Sequence, residues 1–165
     1  MKNPGSLDSF CDWLKETRVS VLLQTVEWII PAVQTVHILA IAAVVGGALA
    51  LSLRLLRAKN REEPGDPVVS TLFAMIWGAL PVLLVTGALL ITAEPARDLE
   101  NPVFALKMGL LVLAIAATLV QQASLRRPSR KGTPGGIRRA LAVASLALWV
   151  AIVFAGRMIA YVQSL

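Results

Sequence analysis

Apolar and polar residues do not alternate along this chain; they come in blocks. Four blocks of about 20 residues or more carry almost no charge: 28–53, 68–93, 103–125 and 140–162. None shows the polar stripe of a helix lying on a water-soluble core. About 20 residues rising 1.5 Å each cross a hydrocarbon layer about 30 Å thick. The pattern predicts an all-α fold, a four-helix transmembrane bundle, with no internal repeat.

Residues 6–18 follow a different rule. Leu7, Phe10, Leu14 and Val21 recur at helical spacing, with Asp8, Asp12, Lys15, Glu16 and Arg18 mostly elsewhere on the turn. This predicts a short amphipathic helix on the outer membrane surface, started by Ser6 or Asp8, in preference to a solvated tail. The expected division is an N-terminal tail with an interfacial helix, 1–20, and a four-helix transmembrane domain, 21–165.

Composition agrees with the blocks. The chain has 165 residues, 56% hydrophobic and 16% charged. Its apolar share exceeds the roughly 45–50% of soluble proteins, and its length suits one domain. The net charge of +6 would suggest nucleic acid in a soluble protein. Here the basic residues lie between spans, without interleaved aromatics, so no nucleic acid is expected and topology explains the excess. Arg54, Arg57, Lys59 and Arg61 share one side with Arg126, Arg127, Arg130, Lys131, Arg138 and Arg139. Lys2, Lys15, Arg18 and Arg97 are on the other. The basic side is expected to be cytoplasmic, in a bacterial inner membrane, with both termini periplasmic.

Proline and glycine punctuate these segments. Pro64, Gly65 and Pro67 break the first inner loop, and PSRKGTPGG at 128–136 reads as a turn. Pro95 and Pro102 bracket the outer loop, with Pro102 suited to the first turn of the third span. Pro81 should kink the second span or open its hydrogen-bond ladder. The N-terminus has no apolar leader core or cleavage site, so the first span is expected to direct insertion itself. Cys11 is the only cysteine, which excludes an intrachain disulfide and a Cys-x-x-Cys site.

The chemistry lies in the ionisable residues inside the blocks. His37, the only histidine, is 17 residues from Arg54, roughly 25 Å along a helix. Lys107 is 19 residues from Arg126, about 28 Å, and Arg157 is 18 from Arg139, about 27 Å. Three groups from three helices thus reach one depth near the outer boundary, with Glu94 ending the second span on that side. Each has a plain explanation: lysine and arginine reach for headgroups, and a histidine can bond a neighbouring carbonyl. A shared polar site explains all three together.

Imidazole is a common metal ligand and a haem axial ligand. The expected cofactor is haem b, with His37 on iron and Lys107 and Arg157 on the propionates. Gln34, three residues from His37, is the expected acceptor for the second ring nitrogen. Met108 or Met158 is a candidate sixth ligand, the alternatives being a haem shared by two chains or a five-coordinate iron. Gly46, Gly47, Ala43, Ala48 and Gly109 are small enough to leave a slot for the ring. Copper lacks a methionine or cysteine ladder, and zinc lacks ligand partners. No Ser/His/Asp set, phosphate loop or carboxylate pair can be built, because Asp and Glu stay in tails and loops. The ridges Ala42-x-x-x-Gly46-x-x-x-Ala50 and Ala43-x-x-x-Gly47 allow close helix approach within or between chains. Trp13, Trp28 and Tyr161 suit the outer interface.

The runs QTVHILAIAAVVGGALALSLRLL, VTGALL, NPVFALKMGLL and SLALWVAIVFAGRMIAY carry a family resemblance. With W-G-A at 77, they make residues 20–162 resemble a domain-of-unknown-function family of small four-helix bacterial inner-membrane proteins. More distantly, His37 and the Leu106–Lys107 pair are similar to positions in copper-resistance protein D and HemJ-type protoporphyrinogen oxidase membrane domains. That likeness implies a haem-binding or porphyrin-handling site. The chain departs from it in having no second histidine.

The expected function is therefore an inner-membrane haem-b-binding redox protein, if an enzyme then an oxidoreductase component. It would pass electrons between a quinone or membrane oxidoreductase and a periplasmic partner. The alternatives are a non-catalytic membrane anchor or subunit, as a homo-oligomer or with another protein, and a small metal or substrate transporter.

Overall fold

The computed structural model describes residues 6–57, 66–95, 99, 101–126 and 135–162. Lys2, Lys59, Arg61, Pro64, Gly65, Arg97, Arg127, Arg130, Lys131 and residues 128–134 of the second basic loop lie outside the described residues, as do the side chains of Leu7, Asp8, Arg126, Arg138 and Tyr161. Among the described residues six helices form: α1 Ser6–Lys15, α2 Arg18–Thr25, α3 Ile29–Arg57, α4 Pro67–Ala93, α5 Pro102–Arg126 and α6 Gly135–Val162. The last four are long and apolar enough to cross a membrane, as the blocks predict. The chain is a multi-pass membrane protein. Exposed Ile38, Leu39, Val85, Val112 and Phe154 are a liability in water and ordinary against lipid.

The long helices run past the apolar blocks, because a block marks the hydrocarbon layer and not the helix end. Arg54 and Arg57 occupy the last turn of α3, where a cation suits the carbonyl end of the dipole. Arg54 Nε also donates to Asp66 Oδ2 at 3.0 Å, with a second contact from Nη2. Asp66 Oδ1 accepts from Val68 N at 3.0 Å and caps α4, whose first residue is Pro67. One carboxylate therefore starts α4 and fastens it to the end of α3. The Arg54 guanidinium holds the Asp66 carboxyl below the usual aspartate range. Despite Pro81, α4 is a single helix to Ala93.

Helix α3 packs on α4 and on α6, and α6 packs on α5. The α4–α5 side is loose among the described residues and is bridged by Trp77 Nε1, which donates to Gln122 Oε1 at 3.0 Å. The core runs through Val44, Ala48 and Leu51 of α3, Ile76 of α4, Ala114 of α5 and Trp149 of α6. Gly47 is the tightest point. A Cβ there would lie 2.8 Å from Met75 Cε and 2.9 Å from Ile76 Cγ1, so only glycine lets α3 and α4 approach this closely. Ala42, Gly46 and Ala50 face outward.

The N-terminal segment forms two helices where one was expected. Thr17 divides them: its hydroxyl donates to Leu14 O at 2.7 Å and accepts from Ser20 N at 3.3 Å, closing α1 and capping α2. Both helices pack on the end of α4. Cys11, Ser20 and Leu23 are buried, and Phe10, Trp13 and Trp28 are exposed. Gln24 Nε2 donates to Ala93 O at 2.8 Å and to Ser20 Oγ at 3.1 Å, satisfying a carbonyl at the end of α4 that has no helical partner.

Candidate functional site

The three ionisable positions do lie at one level. His37 is 8 residues into α3, and Lys107 is 5 into α5. Thr86 is 7 from the end of α4, and Gly156 is 6 from the end of α6. At 1.5 Å per residue all four are about 8–12 Å inside the same end of the bundle.

The half-buried imidazole of His37 faces α4. Its Nδ1 is 2.8 Å from Thr86 Oγ1. A Cβ on Gly87 would sit 3.4 Å from its Cε1, so the ring lies against glycine backbone. Thr86 is 7% exposed, and its hydroxyl also lies 2.6 Å from Val82 O and 3.2 Å from Leu83 O.

Lys107 is partly buried on α5 and leans on α6. Its Cε and Nζ both lie 3.7 Å from where a Cβ of Gly156 would be. Its charge is felt at the His37 ring, although α3 and α5 are not among the closely packed helix pairs. Asn101 sets the start of α5 one turn earlier. Its Oδ1 accepts from Val103 N at 2.9 Å, its carbonyl accepts from Phe104 N at 3.0 Å, and its Nδ2 donates to Ile159 O of α6 at 3.4 Å. Asn101 is 7% exposed, so the joint that fixes Lys107 relative to Gly156 is sheltered from water.

Of the residues expected at the site, His37 and Lys107 are partly buried at one level, His37 against α4 and Lys107 against α6. Met108 is partly buried beside Lys107 in sequence, while Gln34, Arg157 and Met158 lie on exposed faces. The Nδ1 partner is Thr86 of the neighbouring helix, where Gln34 was expected. Three residues along one helix bring side chains near each other, but α4 lies closer to this ring. The expected slot also moves. Gly47 is closed off by Met75 and Ile76 of α4 and Ala48 is buried, and Gly46 and Gly109 are open with nothing within 4 Å. The glycines that serve the site are Gly87 and Gly156. Gly87 and Thr86 escaped notice because small and hydroxyl residues inside an apolar helix usually only pack.

No curated protein and no solved structure matches the chain. A family profile matches residues 10–162, all but the two ends, and takes in His37, Thr86, Lys107 and Gly156. The chain belongs to the family of unknown function DUF6644.

Proposed function

We propose that the protein binds haem b at His37 and serves as a redox component of a bacterial inner membrane, its site near the periplasmic face. The observation that carries this reading is that His37 and Lys107, on two different helices, are partly buried at one depth inside an apolar bundle. Ionisable groups are costly there and usually mark a site.

The donor set suits haem better than a bare ion. A bare copper or zinc site needs several protein ligands. Among the described residues no group of three or more His, Cys, Asp or Glu side chains is placed to hold an ion. A porphyrin brings four nitrogens of its own and asks the chain for one imidazole. His37 would supply it, and Lys107 would pair with a propionate. Met158 is half exposed, and Met108 points about 100° away from Lys107 around α5, so the two do not both face one slot. Bound haem supplies reversible one-electron transfer. The chain's own part is to orient the imidazole, offer a cation to the carboxylates and exclude water with apolar walls. The distant likeness of His37 and Leu106–Lys107 to HemJ-type and copper-resistance D membrane domains supports this reading.

The test is an absorption spectrum of purified protein titrated with haem. Wild type is expected to give a Soret band at one haem per chain. His37→Ala should abolish it, and Lys107→Met should weaken binding. A wild-type protein without the band, or a band that survives His37→Ala, overturns the reading.

A second reading, a membrane anchor or homo-oligomeric subunit, is favoured by the outward ridge Ala42, Gly46 and Ala50. Only 11% of the apolar window of α5 is buried within the chain. Native mass spectrometry from lipid nanodiscs separates the two: a defined complex lost in Gly46→Leu supports it, and a monomer ends it.

A further inference from the structure

We propose that Thr86 is a positioning residue that fixes the tautomer of His37, placing the proton on Nδ1 and leaving Nε2 as the ligating nitrogen. The haem reading gives this its purpose, but the assignment is testable without haem.

The argument counts protons. A threonine hydroxyl has one. Thr86 Oγ1 lies 2.6 Å from Val82 O and 3.2 Å from Leu83 O. Backbone carbonyls only accept, so the hydroxyl proton is committed to its own helix. The same oxygen is 2.8 Å from His37 Nδ1. With its proton spent, it can only accept, and Nδ1 must donate. A neutral imidazole carries one N–H, so Nε2 is bare.

Three features keep this arrangement in place. Threonine is branched at Cβ and stiff at χ1, and the bond to Val82 O selects its rotamer. Thr86 is 7% exposed, so water does not compete for the hydroxyl. Gly87 is bare beneath the ring, and anything larger than a Cβ would press on Cε1, the carbon between the two nitrogens. In water histidine favours the proton on Nε2, so the site works against the intrinsic preference. A ligand to iron needs this arrangement, because the metal takes the bare nitrogen and a hydrogen bond at the other holds the ring plane.

The chain has one histidine, so ¹⁵N-histidine labelling lights a single imidazole. The experiment uses full-length, haem-free protein in lipid nanodiscs, at a pH where the ring is neutral. Wild type and Thr86→Ser are expected to show protonated Nδ1 and bare Nε2, and Thr86→Val to move the proton to Nε2. Wild type protonated at Nε2, or Thr86→Val unchanged from wild type, overturns the assignment; the wild-type spectrum decides even where the variant does not fold. In a parallel haem titration Thr86→Val should bind about 10–100-fold more weakly than wild type, with Thr86→Ser restoring affinity. Wild type that passes the nitrogen test but takes up no haem ends the haem reading and leaves the Thr86 assignment standing.

Discussion

Both ends of the bundle bury neutral polar groups, Ser20, Thr86 and Asn101 among them towards the termini, but among the described residues the ionisable groups inside the apolar blocks lie towards the termini. Towards the basic loops Ser52, Thr118, Gln121 and Ser145 are neutral and buried, as is Trp149 at mid-bundle. Ser52 Oγ donates to Ala142 O at 3.0 Å, Thr118 Oγ1 donates to Ala114 O at 2.8 Å, and Trp149 Nε1 donates to Thr118 at 3.4 Å. Towards the termini, His37 and Lys107 are ionisable and only partly buried. In the first group Ser52 and Trp149 join neighbouring helices. The second has chemistry beyond what packing requires, and glycine backbone on two neighbouring helices makes room for it. Polarity alone therefore does not mark a site in a membrane bundle. Ionisability combined with incomplete burial is what sets the proposed site apart.

Substitutions that fall unequally on the two ends break or sharpen this contrast. The largest loss of stability is expected for Trp149→Ala, which empties a fully buried indole and should cost about 3–5 kcal/mol. His37→Ala, towards the termini, should lower the thermal midpoint far less while removing haem uptake. Equal destabilisation by the two would mean that both residues are structural. Next comes the helix seam. Gly47→Leu should cost about 1–3 kcal/mol, because Met75 and Ile76 already fill that space. Gly46→Leu, one residue earlier and open to the outside, should stay within about 0.5 kcal/mol when thermal stability is measured in detergent. Ser52→Ala should cost about 0.6 kcal/mol, the usual worth of one hydrogen bond between membrane helices.

The smallest effect is one of pH. The Arg54 hydrogen bond lowers the Asp66 pKa in the folded protein, so the charged carboxylate favours folding. That contribution is present above the unfolded aspartate value and is lost as pH falls through the lowered folded value. Thermal midpoints of wild type and Asp66→Asn should therefore converge in acid and separate towards neutrality. A constant gap across the acid range would show that the pair is not coupled to folding.

The fold was largely legible in the sequence, because a run of apolar residues the width of a bilayer has few other uses. So was the level of His37 and Lys107, since a fixed rise per residue turns spacing into depth. What surrounds them was not legible. Depth along a helix says nothing about rotation around it, and rotation decides that Thr86 meets His37 while Arg157 and Met158 lie on exposed faces. Gln34 misled for the same reason: a neighbour along the chain is visible in sequence, and one on another helix is not. The break between α1 and α2 had a readable sign in Thr17, a strong capping residue that the apolar periodicity masked.

The bond from Gln24 to the last carbonyl of α4 makes the N-terminus part of the architecture of the membrane domain. A deletion running past Gln24 would uncap a helix end at the membrane boundary, about two turns above Thr86. Expression designs that begin at the first span would thus disturb the imidazole from a distance, and an epitope or purification handle belongs at the other terminus.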